Sequence, residues 1–201
     1  METADELSGD LRTDEALMLA YRDGEAAAFD VLYARHRAPL FRYVVHQCGR
    51  REAADELFQE IWMSVIRARA GYEVTAKFTT WLYRIAHNRL VDHFRASGRA
   101  EVLLAAPDAD EDDQPADPYA GIAGESSEQP ERRHERRELA DRLIAAVDAL
   151  PTAQREAFLM AAEGGMSTEE IARAADCGFE TAKSRLRYAY GRLRQLLGDL
   201  R

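Results

Sequence analysis

The sequence predicts an all-α protein in which a four-helix domain and a helix-turn-helix domain are joined by a flexible acidic linker. Apolar residues recur at three- and four-residue steps along most of the 201 residues, and no alternating apolar–polar run is long enough for a sheet. One tract, residues 101–131, contains ten acids, four prolines and no Lys or Arg. The expected divisions are a disordered N-terminus (1–12), a first domain (13–98), a linker (99–134) and a second domain (135–198).

The first two helices are separated by a short break. An apolar stripe predicts a helix over residues 14–21, which ends at Asp23-Gly24. Asp23 is expected to cap a second, longer helix, since its side chain can accept from a free backbone N–H. Pro39 falls inside that second helix and is expected to bend or interrupt it.

Two further helices complete the first domain. A turn at Gly49-Arg50 precedes a helix over residues 52–70, which Gly71 ends. A fourth helix is predicted over residues 79–97.

The linker is defined by its composition. Its prolines and acids leave too little apolar surface to offset the entropy lost on ordering, so a disordered tether is expected. The net charge of −9 is set by this tract, because the chain without residues 101–131 has a charge of +1. The acidic average therefore does not exclude nucleic-acid binding, which depends on local fields.

The second domain is predicted to end in a helix-turn-helix. An apolar stripe stops at Pro151, and another helix follows it. Ser167 and Glu170 stand three residues apart as a capping box for a short helix. A turn at residues 176–178 then leads to a long basic helix over 179–197, as in a helix-turn-helix.

The basic helix is the first candidate interface. Its N-terminal turns would enter the major groove of duplex DNA. A solvated basic face on a helix that only packs is the alternative, but the capped preceding helix and the short turn favour DNA binding. The residues expected at or near the DNA are Glu180, Thr181, Lys183, Ser184, Arg185 and Arg187.

The fourth helix is the second candidate interface. Aromatic residues alternate there with Lys and Arg, a combination that binds single strands by stacking bases and holding phosphates. About half of these aromatics are expected to face the core instead. On spacing alone, the side chains expected to be free for DNA are Lys77, Tyr83, Arg84, Asn88 and Arg95.

The third helix offers a polar face whose role its periodicity leaves open. Asp55, Glu56, Gln59 and Glu60 form either a solvated surface or a docking face for a basic partner.

Enzymatic and metal-binding functions find no support in the motifs. His87, Asp92 and His93 are not spaced to place three ligands on one helix face, and Gly-rich phosphate loops are absent from the sequence. No catalytic residue, metal or cofactor is therefore expected. Cys48 and Cys177 are interpreted as reduced thiols, although a disulfide between them stays open. No apolar stretch is long enough to insert in a membrane and no secretory signal is seen, so a cytoplasmic location is expected.

Two sets of motifs together resemble a known family. The first set resembles region two of bacterial sigma factors, and the second resembles their region four. Without a third domain between them, the chain is similar to the extracytoplasmic-function group (group IV) of the sigma-seventy superfamily. The motifs are Ala54-Asp55-Glu56-Leu57-Phe58-Gln59-Glu60, Phe78-x-x-Trp81-Leu82-x-x-Ile85-Ala86-x-Asn88-x-x-x-Asp92-x-x-Arg95, Leu150-Pro151-x-x-x-Arg155, Ser167-x-x-Glu170-Ile171-Ala172 and Thr181-x-Lys183-Ser184-Arg185-Leu186.

The resemblance implies a role for each surface in transcription initiation. Region two would bind a clamp coiled coil of core RNA polymerase through Asp55, Glu56, Leu57, Gln59 and Glu60. It would also capture flipped bases of the minus-ten strand. Region four would read the minus-thirty-five duplex through Glu180 to Tyr188 while touching the polymerase flap. The linker would run toward the RNA exit path. The minus-ten residues implied are Lys77, Thr80, Trp81, Tyr83, Arg84, Asn88 and Arg95.

Two departures from the family pattern fall in the helix-turn-helix. Asp176 stands where the turn usually has glycine, and aspartate tolerates the left-handed backbone better than most residues. Glu180 replaces a glycine before Thr181 and is expected to change promoter preference.

Two other functions remain as alternatives at this point. One is a helix-turn-helix regulator that binds duplex DNA without polymerase; the other is a protein that sequesters a regulator through its acidic tether. The sequence also leaves open whether an anti-sigma protein binds the chain. In a polymerase holoenzyme the protein would be associated with the nucleoid.

Overall fold

The computed structural model describes residues 10–96 and 130–198, with side chains for all of these except 130–137. The described residues are all-helical, as predicted, and contain no strand. Residues 1–9 of the expected N-terminal segment and most of the linker lie outside them. Residues 10–12, which were expected to be disordered, are described, and Arg12 bonds Glu25 at 2.8 Å. The helices are α1 (Asp14–Arg22), α2 (Ala26–Cys48), α3 (Arg51–Ala68), a 3-10 helix (Arg69–Gly71), α4 (Phe78–Ala96), α5 (Pro130–Asp148), α6 (Thr152–Gly164), α7 (Thr168–Ala174) and α8 (Phe179–Leu197).

The caps of the first helices differ from the prediction. The Thr13 side chain caps α1 by accepting from the Ala16 N–H. Asp23 closes α1 rather than opening α2, so its predicted capping role is wrong. The residue before α2 is Glu25, whose side chain makes no capping bond. Gly24, with φ 111°, and Glu25 form the turn between Asp23 and α2.

Pro39 does not interrupt α2, which runs unbroken over 23 residues. The proline removes one helical hydrogen bond, but apolar packing on both sides of it holds the helix together. Leu32 and Leu40, one on each side, are fully buried. Tertiary packing therefore overrides the local cost of the proline.

The core of the first domain lies where α1, α2, α3 and α4 meet. Five aromatic rings on α2 and α3 form its outer side, with Trp62 edge-on to Phe29 at 5.7 Å and to Tyr33 at 4.9 Å. Deeper in the core, Ile61 and Leu82 are fully buried. This packing fixes α3 and α4, the two helices that carry the candidate residues of the first domain.

The helix-turn-helix forms as the sequence predicts. Ser167 and Glu170 make both bonds of the capping box at the start of α7. Asp176 adopts φ 47°, the left-handed conformation expected at the position where the family has glycine. One boundary differs, since α5 begins at Pro130 and not near Glu135. A proline suits the first helical position because its missing N–H has no helical partner there.

The two domains contact each other directly. Helices α6 and α7 pack against α2 and α4, and buried residues form one continuous hydrophobic cluster across the junction. No helix in the described ranges is long and apolar enough to cross a membrane.

Candidate nucleic-acid interface

The α4 residues that were expected to bind a single strand lie largely along one side of the helix. Lys77 caps α4, and its carbonyl accepts from the Trp81 N–H at 3.2 Å. Trp81, Arg84 and Asn88 follow at steps of three and four residues, which places them on one face. Arg84 and Asn88 are exposed and Trp81 is half-buried. A cation, an indole ring and an amide are thus presented together.

The Trp81 ring is held in place by two other rings. Its centroid lies 5.0 Å from that of Tyr72, edge-on, and 5.8 Å from that of Phe78. Phe78 is fixed in turn by α1, where Glu15 accepts from the Phe78 N–H at 2.7 Å. The indole is therefore oriented by the fold while part of it stays open to solvent.

Two of the predicted minus-ten residues are buried, contrary to the expected exposure. Tyr83 is 1% exposed and Thr80 is 3% exposed. The Tyr83 ring packs edge-on to Tyr43 at 5.1 Å and lies beside Gly164 of α6, so the second domain covers it. Spacing along α4 could not reveal this, because the covering surface comes from a distant part of the chain. Arg95 is exposed at the end of α4, beside Asp92 at 3.9 Å.

The polar face of α3 is open to solvent. Asp55, Glu56, Gln59 and Glu60 are all exposed, whereas Leu57 is 3% exposed and belongs to the core. The expectation that Leu57 touches a partner therefore does not fit this arrangement. Each residue's position relative to the apolar stripe explains the difference, since Leu57 shares the face of Ala54 and Ile61.

One residue of this α3 face was missed. Met63 is 50% exposed and stands four residues after Gln59, at the C-terminal end of the acidic surface. Its helical spacing was the available signal. A flexible, exposed apolar side chain beside carboxylates is typical of a binding surface.

The outward face of α8 carries most of its predicted DNA-reading residues. Glu180 and Lys183 are exposed and lie 3.8 Å apart. Thr181, Ser184 and Arg187 are half-exposed on the same side of the helix. The face combines a carboxylate, hydroxyls and cations, which are the groups that read base edges.

Two predicted DNA-reading residues of α8, Arg185 and Tyr188, contact other parts of the protein. Arg185 is 6% exposed and faces the interior of the second domain, so its predicted place at the DNA does not fit. The Arg187 guanidinium lies 4.9 Å from the centroid of the Tyr188 ring and donates to its hydroxyl at 3.1 Å. Tyr188 therefore positions Arg187 on the α8 surface.

Sequence reasoning also missed Phe179. This residue opens α8 and is 43% exposed. The signal was its place at the first position of the recognition helix, where side chains approach base edges.

A cleft of about 620 Å³ separates the two candidate DNA-binding elements. Thr75, Trp81 and Arg84 line it from the first domain, and Arg173 and Asp176 line it from the helix-turn-helix. The Lys77 ammonium bridges to Glu170 of α7 at 2.9 Å. The α4 surface and the second domain are thus in direct contact.

The two cysteines are free thiols, as interpreted. Burial raises the pKa of Cys48 to about 11, and burial also raises the pKa of Cys177. We expect Cys48 to react with a disulfide reagent at pH 8 about 100-fold more slowly than in the urea-unfolded chain, because the thiolate is the nucleophile. Stopped-flow thiol titration of the Cys177→Ser variant measures this rate. Equal rates in the folded and unfolded chains would contradict the shielding.

No group of side chains in residues 10–96 and 138–198 is arranged to hold a metal ion.

Two family descriptions match the chain in the order in which the domains occur. Residues 32–100 match Sigma-70 region 2, and residues 140–193 match Sigma-70, region 4. Among curated proteins, the RNA polymerase sigma factor CarQ of Myxococcus xanthus is 31% identical over 91% of this chain and 97% of its own length. The ECF RNA polymerase sigma-E factor of Escherichia coli K12 is 29% identical over 87% of this chain and 88% of its own length.

Solved structures show the same fold. CnrH, in complex with the cytosolic domain of CnrY, superposes with a TM-score of 0.63 at 23% identity, covering 94% of this chain and 99% of its own. The sigma factor RpoE in complex with the anti-sigma factor NepR from Bartonella quintana has a TM-score of 0.60 at 23% identity, covering 85% and 96%. With both family descriptions matched and a relative similar over nearly its whole length, this chain belongs to the extracytoplasmic-function group of sigma-70 factors and is a transcription initiation sigma factor.

Proposed function

We propose that the chain binds core RNA polymerase through the exposed side of α3 and contacts promoter DNA through α4 and α8. The observation that carries this proposal is the pairing, in one chain, of an aromatic-basic stripe on α4 with a helix-turn-helix whose α8 face is polar and basic. On α3 the acids Asp55, Glu56 and Glu60 are exposed and Met63 follows them along the helix, a pattern that suits a basic partner with an apolar contact. The clamp coiled coil of polymerase is the expected partner of this face.

The α4 stripe is assigned to the minus-ten strand. Bases stack on Trp81 while Lys77 and Arg84 hold phosphates, and Asn88 contacts a base edge. Each stacked base offsets part of the few kcal/mol needed to unstack it from the duplex. Capture of the unwound strand thereby stabilises the open promoter, whereas RNA synthesis stays with the polymerase.

The α8 face is assigned to the minus-thirty-five duplex. Lys183 and Arg187 approach guanine or phosphate oxygens, and Glu180 accepts from a cytosine amino group. Region four also contacts the polymerase flap, and the acidic linker (99–134) runs toward the RNA exit path. The protein acts in the cytoplasm and joins the nucleoid within the holoenzyme.

An anti-sigma protein is a further expected partner. The support comes from the two solved structures named above. RpoE is in complex with the anti-sigma factor NepR, and CnrH is in complex with the cytosolic domain of CnrY.

Run-off transcription with purified core polymerase and a library of genomic fragments tests the proposal. We expect specific transcripts only when the chain is added, and weak binding of promoter duplex by the chain alone. A regulator that works without polymerase would shift the duplex by itself in a gel assay and yield no transcripts.

Phe179 provides a test of the α8 assignment. An exposed phenyl ring at the start of a recognition helix can contact a thymine methyl group. We expect Phe179→Ala to lower affinity for the minus-thirty-five duplex about 5-fold, since losing such an apolar contact is worth about 1 kcal/mol. Replacing thymine by uracil in the duplex should weaken binding of the wild type by the same factor and leave the affinity of the Phe179→Ala variant unchanged. If uracil weakens both proteins equally, Phe179 does not read the methyl group.

A further inference from the structure

Carboxylates of the second domain meet nitrogen or hydroxyl groups of the first domain at four places. Asp148 Oδ1 of α5 lies 2.7 Å from His46 Nδ1 of α2. Glu156 and Glu163 stand seven residues apart on α6, two turns along one face. The Arg42 guanidinium clamps Glu163 through two nitrogens, at 2.6 and 2.9 Å. At the other end of the junction, Lys77 bonds Glu170, whose pKa is lowered by the Ser167 backbone N–H and by Lys77. Acids of one domain are thus matched to cations of the other.

Glu156 is the centre of this junction. It is 1% exposed, and its Oε1 accepts from the Tyr43 hydroxyl at 2.9 Å and lies 2.8 Å from His87 Nδ1. Tyr43 belongs to α2 and His87 to α4, so one carboxylate of α6 joins three helices. Burial and the Glu156 carboxylate hold the pKa of Tyr43 well above its usual range, which keeps the hydroxyl protonated as a donor.

A buried carboxylate stabilises a permanent packing contact poorly. Removing it from water costs several kcal/mol, and apolar residues of similar volume often hold such a junction as well or better. The second oxygen, Oε2, is buried without a hydrogen-bond partner in the described part of the chain. When the domains separate, the Glu156 carboxylate regains water. The junction therefore suits a contact that opens and closes.

The closed arrangement excludes a DNA strand from α4. The Lys77 ammonium, which would bind a DNA phosphate, is paired with Glu170. Thr80 and Tyr83 lie under the second domain, and the cleft beside Trp81 is walled by the helix-turn-helix. A strand backbone and the second domain thus compete for the same surface.

We infer that Glu156, Tyr43 and His87 form a latch that keeps the free chain closed and masks the α4 stripe from single-stranded DNA. The masking part rests on the proposed role of α4 in strand binding. Glu163 and Glu170 add weaker contacts at the edge of the same junction. A partner that holds the domains apart, as polymerase bound to α3 and α8 would, releases the latch.

Two measurements on the full chain test the latch. Acrylamide quenching of tryptophan fluorescence reports opening, because Trp81 lines the cleft whereas Trp62 is 5% exposed within the first domain in either form. Fluorescence anisotropy of a fluorescein-labelled 20-nucleotide single strand of mixed sequence reports access to α4. The variants are Glu156→Ala and the milder Tyr43→Phe, and Glu169→Ala is the control, since Glu169 is an exposed acid next to Glu170.

We expect Glu156→Ala to raise the open-to-closed ratio about 100-fold, because it removes the acceptor that Tyr43 and His87 share and leaves both groups buried without it. Tyr43→Phe should raise the ratio about 10-fold, as expected for the loss of one buried hydrogen bond. Both variants should show stronger quenching and tighter binding of the single strand at unchanged helical content, and Glu169→Ala should match the wild type.

The two measurements contradict different parts of the inference. Unchanged quenching in both well-folded variants overturns the latch, whatever the affinity for the single strand. Stronger quenching without tighter strand binding overturns the masking. If the opened Glu156→Ala chain binds the strand equally well after Trp81→Ala is added, the proposed strand site itself is wrong, although the latch still stands on the quenching result.

Discussion

Trp81→Ala is expected to leave binding of core polymerase unchanged and to lower the fraction of open promoter complexes by about 10- to 100-fold. The physical reason is that stacking of a base on an aromatic ring is worth about 1–3 kcal/mol, and an alanine offers no ring. Trp81 is the half-buried ring of the α4 stripe, already oriented by Tyr72 and Phe78. Permanganate reactivity of thymines around the start site measures the opening.

A matched variant separates stacking from packing. Trp81→Phe keeps an aromatic ring against Tyr72 and Phe78, so it should retain most of the opening. Trp81→Ala also leaves a space beside these rings, and thermal unfolding of both variants measures what that costs in stability. Normal permanganate reactivity in a folded Trp81→Ala protein would show that this ring does not hold the strand.

The fold was predictable where local signals and packing agree. The Ser167 and Glu170 capping box and the left-handed Asp176 both follow from short-range rules, because the backbone groups involved lie within a few residues. Local rules failed at Asp23, which does not cap α2, and the interruption expected at Pro39 does not occur. At both positions a neighbouring turn or a buried face decides the outcome, and periodicity carries no measure of that burial.

The candidate site was predictable only where a single helix determines exposure. Arg84 and Asn88 lie on the free side of α4, as their spacing indicates. Tyr83 and Arg185 do not, because residues from other helices cover them. Which of two polar or aromatic positions on a helix is covered depends on contacts between residues far apart in sequence. For the same reason, Glu156 looked like an ordinary acid on a helix.

The domain contact changes how the aromatic-basic stripe is understood. In an isolated first domain, Tyr83 would lose the cover of α6, and Lys77 would have no acid of the second domain beside it. With the second domain packed on α4, the exposed Lys77 side chain pairs with Glu170 and Tyr83 is enclosed. The same residues therefore serve two incompatible contacts, and the relative strength of these contacts determines when the protein can bind DNA.

Reversing two charges on α3, with Glu56→Lys and Glu60→Lys together, is expected to weaken binding of core polymerase by about 100-fold or more. Both carboxylates are exposed and precede Met63 on the same helix, so they are available to a basic partner. Placing like charges opposite each other across an interface costs several kcal/mol, which sets the size of the effect. Binding of the labelled variant to purified core polymerase, titrated by fluorescence anisotropy, measures it.

The control changes the net charge equally but elsewhere. Asp30→Lys with Asp141→Lys also replaces two exposed acids by cations, on α2 and α5. This control should bind polymerase as the wild type does, and its affinity should show the same dependence on salt. Met63→Ser should cause a smaller loss that salt does not change, because an apolar contact is not screened as charges are. If the α3 reversal and the control weaken binding equally, the effect belongs to overall charge, and α3 is not the polymerase surface.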